Sequence, residues 1–185
     1  EAGVAEQAET FGEIATGYGG GPFHWTADAD ERNKLWKARH DLFWAVSALR
    51  PGTRAVSTDV CVPLSRLADC VAAAEAKAAA MGLVAPIAGH VGDGNFHHLI
   101  LVDTADADET ARARAYIGWL NDLAISMEGT CTGEHGIGQG KRAYLAREAG
   151  PALGTMAAIK AALDPAGILN PGKILPDAPL SQPER

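Results

Sequence analysis

Three histidines and an asparagine surround one glycine-rich turn of the chain. They lie in the segment GHVGDGNFHH, which spans residues 89–98, as His90, Asn95, His97 and His98. If four residues form the turn between two antiparallel strands, His90 lies opposite Asn95, and His97 lies diagonal to His90 on the same face. Diagonal positions are about 7–8 Å apart at Cα, which is close enough for two imidazoles to share one metal ion. His98 then points to the other face of the sheet.

A second glycine-rich loop carries a carboxylate next to an imidazole. Glu134 and His135 lie in the segment GEHGIGQG, which spans residues 133–140. Neighbouring residues at the end of a strand point in opposite directions, so that one can bind a metal and the other can face a reactant. A catalytic divalent site usually has three protein ligands and one open position. The two loops together favour such a site over the alternative, in which both loops carry polar surface residues without a function.

Arg39 interrupts the apolar face of a predicted helix. It lies four residues after Leu35 and four residues before Phe43. A buried guanidinium is unfavourable unless it is paired, and its planar shape matches a carboxylate through two hydrogen bonds. The position is compatible with an internal ion pair, with a side chain that extends to solvent, or with a site for the carboxylate of a ligand.

The elements that must position these residues follow from apolar spacing and from turn residues. Helices are predicted over about 4–16, 28–49, 64–81 and 106–127, and one or two more helices extend to Leu163. Strands are predicted over 55–63, 83–90, 95–102 and 130–133, with a further short strand over 23–26. From residue 54 to residue 133 the order β-α-β-β-α-β is that of a split βαβ unit. The predicted fold is α+β, with a ferredoxin-like antiparallel sheet, helices packed on one face and C-terminal helices after it.

The composition narrows the function class. The chain has 185 residues and a net charge of −7, with 47% hydrophobic and 21% charged residues. These values are typical of a globular protein, and the acidic balance disfavours binding to nucleic acid. No run of about 18 apolar residues is present, so no membrane-spanning helix is predicted. Three cysteines without a C-x-x-C motif predict reduced thiols and a cytoplasmic location.

Five ordered blocks resemble the C-terminal half of FAD-linked 2-hydroxy-acid dehydrogenases of the vanillyl-alcohol-oxidase type. The blocks are WKARH at 36–40, STDVCVP at 57–63, GHVGDGNFH at 89–97, GEHGIG at 133–138 and LNPGK at 169–173. Within that family the resemblance extends to the cytochrome-type D-lactate dehydrogenases and to the flavin subunit of glycolate oxidase. It implies an oxidoreductase that converts D-lactate or glycolate to the 2-oxo acid.

The resemblance also implies which residues form the metal site and which residue moves the proton. His90, His97 and Glu134 match the metal ligands, and the expected metal is zinc or manganese. His135 matches the catalytic base, which removes the proton of the substrate hydroxyl.

Three further residues match binding positions of the family. By the resemblance, Arg39 holds the substrate carboxylate, Asn95 contacts the substrate, and Asn170 contacts FAD. Ser57 stands where relatives that act on dicarboxylic hydroxy acids carry a lysine. This difference favours D-lactate or glycolate over D-2-hydroxyglutarate, which is the alternative substrate.

The domain organisation implied by the resemblance has three parts. Residues 1–135 form a cap domain that binds the substrate, and its first strand precedes Glu1 in the family. Residues 136–175 form a helical segment that returns to the flavin domain, and residues 176–185 form a loose tail. FAD is expected to bind mainly to an N-terminal domain that these 185 residues do not contain, so the chain alone is expected to be inactive.

The expected partners are the 2-hydroxy acid and an electron acceptor such as a cytochrome, a quinone or a flavoprotein. A homodimer and a peripheral position on a membrane are compatible with the same resemblance. Two other function classes stay open. One is a non-enzymatic metal-binding module with a ferredoxin-like fold, and the other is a metallohydrolase in which a bound water attacks an ester or an amide.

Overall fold

The computed structural model describes residues 2–176. They divide into two compact units, one up to Ala45 and one from Val46 onward. The predicted tail, 176–185, lies outside the described residues except for Pro176. The predicted boundary near residue 135 remains a prediction.

The first unit contains helix α1 (Ala2–Gly17) and most of helix α2 (Ala29–Ala48). Asp28 caps α2, because its Oδ1 accepts hydrogen bonds from the backbone N–H groups of Asp30 and Glu31. The strand predicted over 23–26 is wrong. These residues are irregular, and Phe23 packs its ring against Phe11 instead of pairing with another strand.

The apolar face of α2 is exposed over most of its length. Val46 is its buried residue, whereas Leu35, Phe43 and Arg39 are exposed. Among residues 2–176, the stripe that contains Arg39 is thus exposed, which agrees with the alternative of a side chain that extends to solvent. The helical spacing predicts the face correctly, but spacing alone does not show whether another surface covers it.

The second unit is built around one long buried strand. Its strands are β1 (Arg54–Ser57), β2 (Val60–Cys61), β3 (Ile87–Ala88) and β4 (Asn95–Val102). Its helices are α3 (Leu64–Ala80), α4 (Ala107–Ser126), α5 (Arg142–Ala149) and α6 (Ala152–Leu163).

The sheet confirms the predicted antiparallel order. Strand β4 pairs with β1 and β2 on one side and with β3 on the other. An antiparallel bridge between Cys61 and Thr130 adds the last chain segment next to β2. If the predicted strands 55–63, 83–90, 95–102 and 130–133 are numbered first to fourth, their spatial order is fourth, first, third and second. This is the order of a ferredoxin-like sheet, and the α+β fold class is confirmed.

Two predicted strands are much shorter in the structure. Of the strand predicted over 83–90, the paired parts are β3 and a bridge at Val84. Between them the Pro86 carbonyl accepts from the N–H of Leu99, but Pro86 has no N–H to donate in return, which interrupts the ladder. Of the strand predicted over 130–133, only Thr130 pairs, because the backbone N–H groups of Cys131 and Thr132 donate to the side chains of Glu148 and Thr130 instead.

Alternation along β4 separates the core from the candidate site. Phe96, Ile100 and Val102 belong to the buried core together with residues of α3 and α4. His98 lies on this side, since its ring contacts the rings of Phe96 and Tyr116. Asn95 and His97 therefore point to the opposite face, as the period of two predicts.

Candidate metal and substrate site

The ring of His97 lies between two hydrogen-bond acceptors. Its Nδ1 is 2.9 Å from the carbonyl oxygen of Thr58, and its Nε2 is 2.9 Å from Oε1 of Glu134. A neutral imidazole has one N–H, so one nitrogen faces an acceptor with its lone pair unless a second proton or a metal ion lies between them. Donation of one N–H to a backbone carbonyl is the usual arrangement of a metal-binding histidine.

The Thr58 carbonyl is available because the first strand is interrupted there. The backbone N–H of His98 donates to the Thr58 hydroxyl at 2.8 Å rather than to its carbonyl. The Thr58 carbonyl thus turns to the ring of His97. The strand predicted over 55–63 is divided into β1 and β2 at this point.

Glu134 brings the three predicted ligands together. Its Oε1 contacts His97, and its Oε2 lies 3.5 Å from Nε2 of His90. The hairpin has the predicted register, because Ala88 lies opposite His97, and continuing that register places His90 opposite Asn95. The two histidines and the carboxylate come from segments about forty positions apart, and the structure places a ring nitrogen of each histidine within 3.5 Å of a Glu134 oxygen.

His135 stacks on the ring of His97. The two rings are parallel within 1°, and their centroids are 4.9 Å apart. Nε2 of His135 lies 3.5 Å from Oε1 of Glu134, and 52% of its side chain is exposed. His135 thus lies beside the predicted ligands with its ring open to solvent.

Asp59 is a residue that the sequence interpretation missed. Its side chain is 2% exposed. It accepts hydrogen bonds from the Asn95 amide at 2.9 Å, from the Thr132 hydroxyl at 3.0 Å and from the backbone N–H of His135 at 3.0 Å. Burial by itself would raise the pKa of Asp59, but these hydrogen bonds and the charge of Lys141 lower it to about 2. An acidic residue within an apolar strand pattern was the available signal.

Lys141 joins the interrupted first strand to the segment that contains Cys131. Its Nζ donates to the carbonyl oxygens of Asp59 at 2.7 Å and of Cys131 at 2.5 Å, and it lies 3.8 Å from the Asp59 carboxylate. Burial lowers the pKa of Lys141, and the Asp59 charge opposes this shift. The sequence offered no signal for this contact beyond a basic residue after a glycine loop.

Asn95 supports Asp59 from inside the sheet. Its amide also donates to the carbonyl of Val60 at 3.0 Å, while its Oδ1 is buried without a hydrogen-bond partner among the described residues. Gly133 lies directly against this amide, since a Cβ at that position would be 1.8 Å from Nδ2. The predicted substrate contact of Asn95 remains a prediction.

The other two predicted residues lie in different parts of the chain. Arg39 is exposed on α2 in the first unit. Asn170 follows α6 with a φ of +47°, and it lines an apolar cleft of about 430 Å³ with Leu163, Leu169 and Ile174. Their roles in binding substrate and FAD remain predictions.

Comparison with known proteins gives the family. Residues 1–174 match the family described as FAD linked oxidases, C-terminal domain. The chain belongs to this family. The family resemblance predicted from the five sequence blocks is confirmed.

Relatives in this family have names that refer to hydroxy acids. The chain is 51% identical over 173 residues to a probable mitochondrial D-lactate dehydrogenase of Danio rerio, and the aligned residues make up 93% of this chain and 35% of the relative. It is 41% identical over 177 residues to the mitochondrial D-lactate dehydrogenase [cytochrome] of Arabidopsis thaliana, which covers 95% and 31%. It is 37% identical over 146 residues to the glycolate oxidase subunit GlcD of Bacillus subtilis, which covers 78% and 31%.

The chain spans about a third of the length of these relatives. Two of their names place those proteins in mitochondria. Among residues 2–176, no helix combines the length and apolar character needed to cross a membrane. The cytoplasmic location expected for this chain stays a prediction.

Proposed function

We propose that the chain is the part of an FAD-dependent D-2-hydroxy-acid dehydrogenase that holds the substrate, a divalent metal and the catalytic base. The proposed reaction is the oxidation of D-lactate, or of glycolate, to the 2-oxo acid. The observation that carries the proposal is the contact of Glu134 with both His90 and His97, next to the ring of His135. The names of the relatives support the substrate class.

Two sets of side chains compete for the metal. The predicted set is His90, His97 and Glu134. A second set is Asp59, His97 and His135, whose ligand atoms all lie within 4.8 Å of one another. The first set fits better because the Glu134 carboxylate is 44% exposed, whereas the Asp59 carboxylate is buried and already accepts several hydrogen bonds.

Two imidazoles and one carboxylate suit zinc or manganese, and they leave room for the substrate. A divalent ion held by these three side chains would supply positive charge next to the bound substrate and act as a Lewis acid. The hydrogen bond from Nδ1 of His97 to the Thr58 carbonyl holds the ring with Nε2 directed to the ion.

In this proposal His135 removes the proton of the substrate hydroxyl. Imidazole is suited to this role near neutral pH. Its Nε2 lies at the edge of the metal site, and the stacked His97 ring limits its rotation. FAD, bound mainly outside this chain, supplies the acceptor for the α-hydrogen, which leaves with its electron pair. The products would be the 2-oxo acid, the proton on His135 and the reduced cofactor, and an acceptor such as a cytochrome would be needed to reoxidise it.

Position 57 supports a substrate with one carboxylate. Oγ of Ser57 donates to the Thr58 carbonyl at 3.0 Å, and that same carbonyl accepts from His97. Position 57 therefore lies next to the site, and serine there provides no cation for a second carboxylate.

Arg39 is proposed to bind the substrate carboxylate, and Asn170 is proposed to contact FAD. A homodimer is a further prediction.

The test uses the holoenzyme with FAD and its complete polypeptide. We expect His135→Ala to abolish D-lactate oxidation and to retain the metal, whereas Glu134→Gln loses both. Loss of metal in His135→Ala with retention in Glu134→Gln would assign the metal to the Asp59 set instead.

Arg39→Met is the matching test of substrate binding. We expect a strong increase in the KM for D-lactate and a smaller effect in Arg39→Lys, since lysine keeps the charge but not the bidentate geometry. An unchanged KM would exclude Arg39 from the substrate site. A metal-loaded wild type that oxidises no 2-hydroxy acid would favour the non-enzymatic module.

A further inference from the structure

We infer that Asp59, held by Lys141, is a positioning residue for the loop that carries Glu134 and His135. The inference rests on the proposed function of these two residues. Asp59 touches neither substrate nor cofactor in this proposal, and it acts through the backbone of the loop.

Three hydrogen-bond donors of one short loop converge on this carboxylate. The backbone N–H groups of Glu134 and His135 lie 3.3 Å and 3.0 Å from its oxygens, and the Thr132 hydroxyl lies at 3.0 Å. Glycines stand on both sides of the pair, and Gly136 has a φ of +74°. A segment that is flanked by glycines has many accessible conformations, so an internal acceptor for its successive N–H groups selects one of them.

The same carboxylate also faces the histidine side of the site. Its Oδ1 is 3.7 Å from Nδ1 of His97 and 2.9 Å from the amide of Asn95. Since Thr58 supplies the carbonyl for His97, the residue pair 58–59 orients the ligand on β4 and the loop opposite it. One interruption of the first strand therefore sets the separation between His97 and Glu134.

Lys141 makes the buried carboxylate tolerable and fixes its backbone. Its ammonium group lies 3.8 Å from the Asp59 carboxylate and donates to the carbonyls of Asp59 and Cys131. A buried carboxylate without a compensating charge or hydrogen bonds is strongly unfavourable. The cation therefore links the interrupted strand to the start of the loop.

The experiment compares three variants of the holoenzyme. Asp59→Asn keeps the shape and removes the charge, and Thr132→Val removes one donor to Asp59. Glu109→Gln is the matched control, because Glu109, in the first turn of α4, is also a buried carboxylate that accepts hydrogen bonds from Arg50. The readouts are kcat for D-lactate, the affinity for Zn²⁺ or Mn²⁺ after metal depletion, melting temperature, and amide hydrogen exchange of the peptide that contains residues 134–135.

We expect Asp59→Asn to lower kcat and metal affinity by about 10–100-fold, the usual effect of removing a residue that orients a metal ligand. Thr132→Val should lower them by roughly fivefold to tenfold, as for the loss of one hydrogen bond. Both variants should accelerate exchange at 134–135, whereas Glu109→Gln should change only the melting temperature. If Asp59→Asn does not fold, Thr132→Val carries the test.

The inference is overturned if the variants that fold keep wild-type kcat, metal affinity and exchange at 134–135. A purely structural role is indicated if Asp59→Asn changes only the melting temperature, as the control does, and this also overturns it. A third outcome separates the two proposals. If the variants show faster exchange at 134–135 but the wild type neither binds metal nor oxidises a 2-hydroxy acid, the positioning role is upheld and the proposed function is refuted.

Discussion

Gly133 is the residue at which a single methyl group should disturb the site most. An ideal Cβ at this position would lie 1.8 Å from Nδ2 of Asn95 and 2.9 Å from Oδ1 of Asp59. Its backbone is not in the left-handed region, so the requirement for glycine is one of space. Gly133→Ala therefore tests whether the loop must approach β4 this closely.

The size of the effect follows from these distances. An ordinary contact of a Cβ begins near 3.4 Å, so the Asn95 amide or the loop has to move by about 1.6 Å. If the amide moves, it loses its 2.9 Å hydrogen bond to Asp59, which is worth roughly 1.5–3 kcal/mol because the acceptor is charged. Overpacking adds roughly 1–3 kcal/mol. If the loop moves instead, Glu134 withdraws from His97, and a displacement of about 1 Å can cost roughly 100-fold in rate.

The assay measures kcat for D-lactate, bound metal and melting temperature in the holoenzyme. We expect Gly133→Ala to lose at least tenfold in kcat together with a lower melting temperature. Gly138→Ala is the control in the same loop, because a Cβ there meets no atom within 4 Å, and it should behave as the wild type. Adding Asn95→Ala to Gly133→Ala should recover part of the lost stability, since it removes the amide that the methyl group meets.

Wild-type kcat and melting temperature in Gly133→Ala would refute the reasoning. That result would mean that the loop does not lie against Asn95. A loss of equal size in Gly138→Ala would refute it as well, because the effect would then come from the backbone flexibility of the loop and not from the close approach.

Three further predictions concern pH, metal and substrate. Burial lowers the pKa of His98 from 6.5 to about 4, so the folded protein resists protonation of this ring. The linked stability of about 3 kcal/mol is complete above pH 6.5, and it is lost as the pH falls from 6.5 through about 4. Urea unfolding between pH 7 and pH 4 should accordingly show a shallower loss in His98→Leu than in the wild type, and equal slopes would contradict this origin. Dialysis against a chelator should abolish D-lactate oxidation, and Zn²⁺ or Mn²⁺ should restore it, whereas full activity of a metal-free protein would exclude the metal role. Ser57→Lys should raise kcat/KM for D-2-hydroxyglutarate relative to D-lactate by roughly tenfold, about 1.4 kcal/mol of new ion pairing, and an unchanged ratio would separate position 57 from substrate selection.

Local patterns were sufficient for the helices and for the hairpin. Asp28 and Asp106 mark the starts of α2 and α4 in the sequence, and both cap their helices in the structure. The register of β3 and β4 follows from the length of the turn between them, and the period of two then assigns His97 and His98 to opposite faces. These features depend on residues close together in the chain, and such interactions are visible in spacing.

Patterns did not show which surfaces meet. The exposed face of α2 has the spacing of a buried one, and the interruption of the first strand at Thr58 has the residue types of a continuous strand. Burial of the α2 face depends on whether another surface covers it, and continuation of the strand at Thr58 depends on the groups that Thr58 meets elsewhere among residues 2–176. Spacing contains no information about that partner.

From its sequence alone, this protein was assigned an antiparallel α+β fold, a hairpin with two imidazoles on one face, and a loop with a carboxylate beside a third imidazole. Only the tertiary structure revealed Asp59, which contacts the loop across 75 and 76 positions of the chain, and Lys141, which contacts Asp59 across 82 positions. The physical reason is that hydrogen bonds and charge pairs between distant segments form only after the sheet has brought them together. Residue types and spacing describe what each segment offers, and the folded chain decides which groups those segments meet.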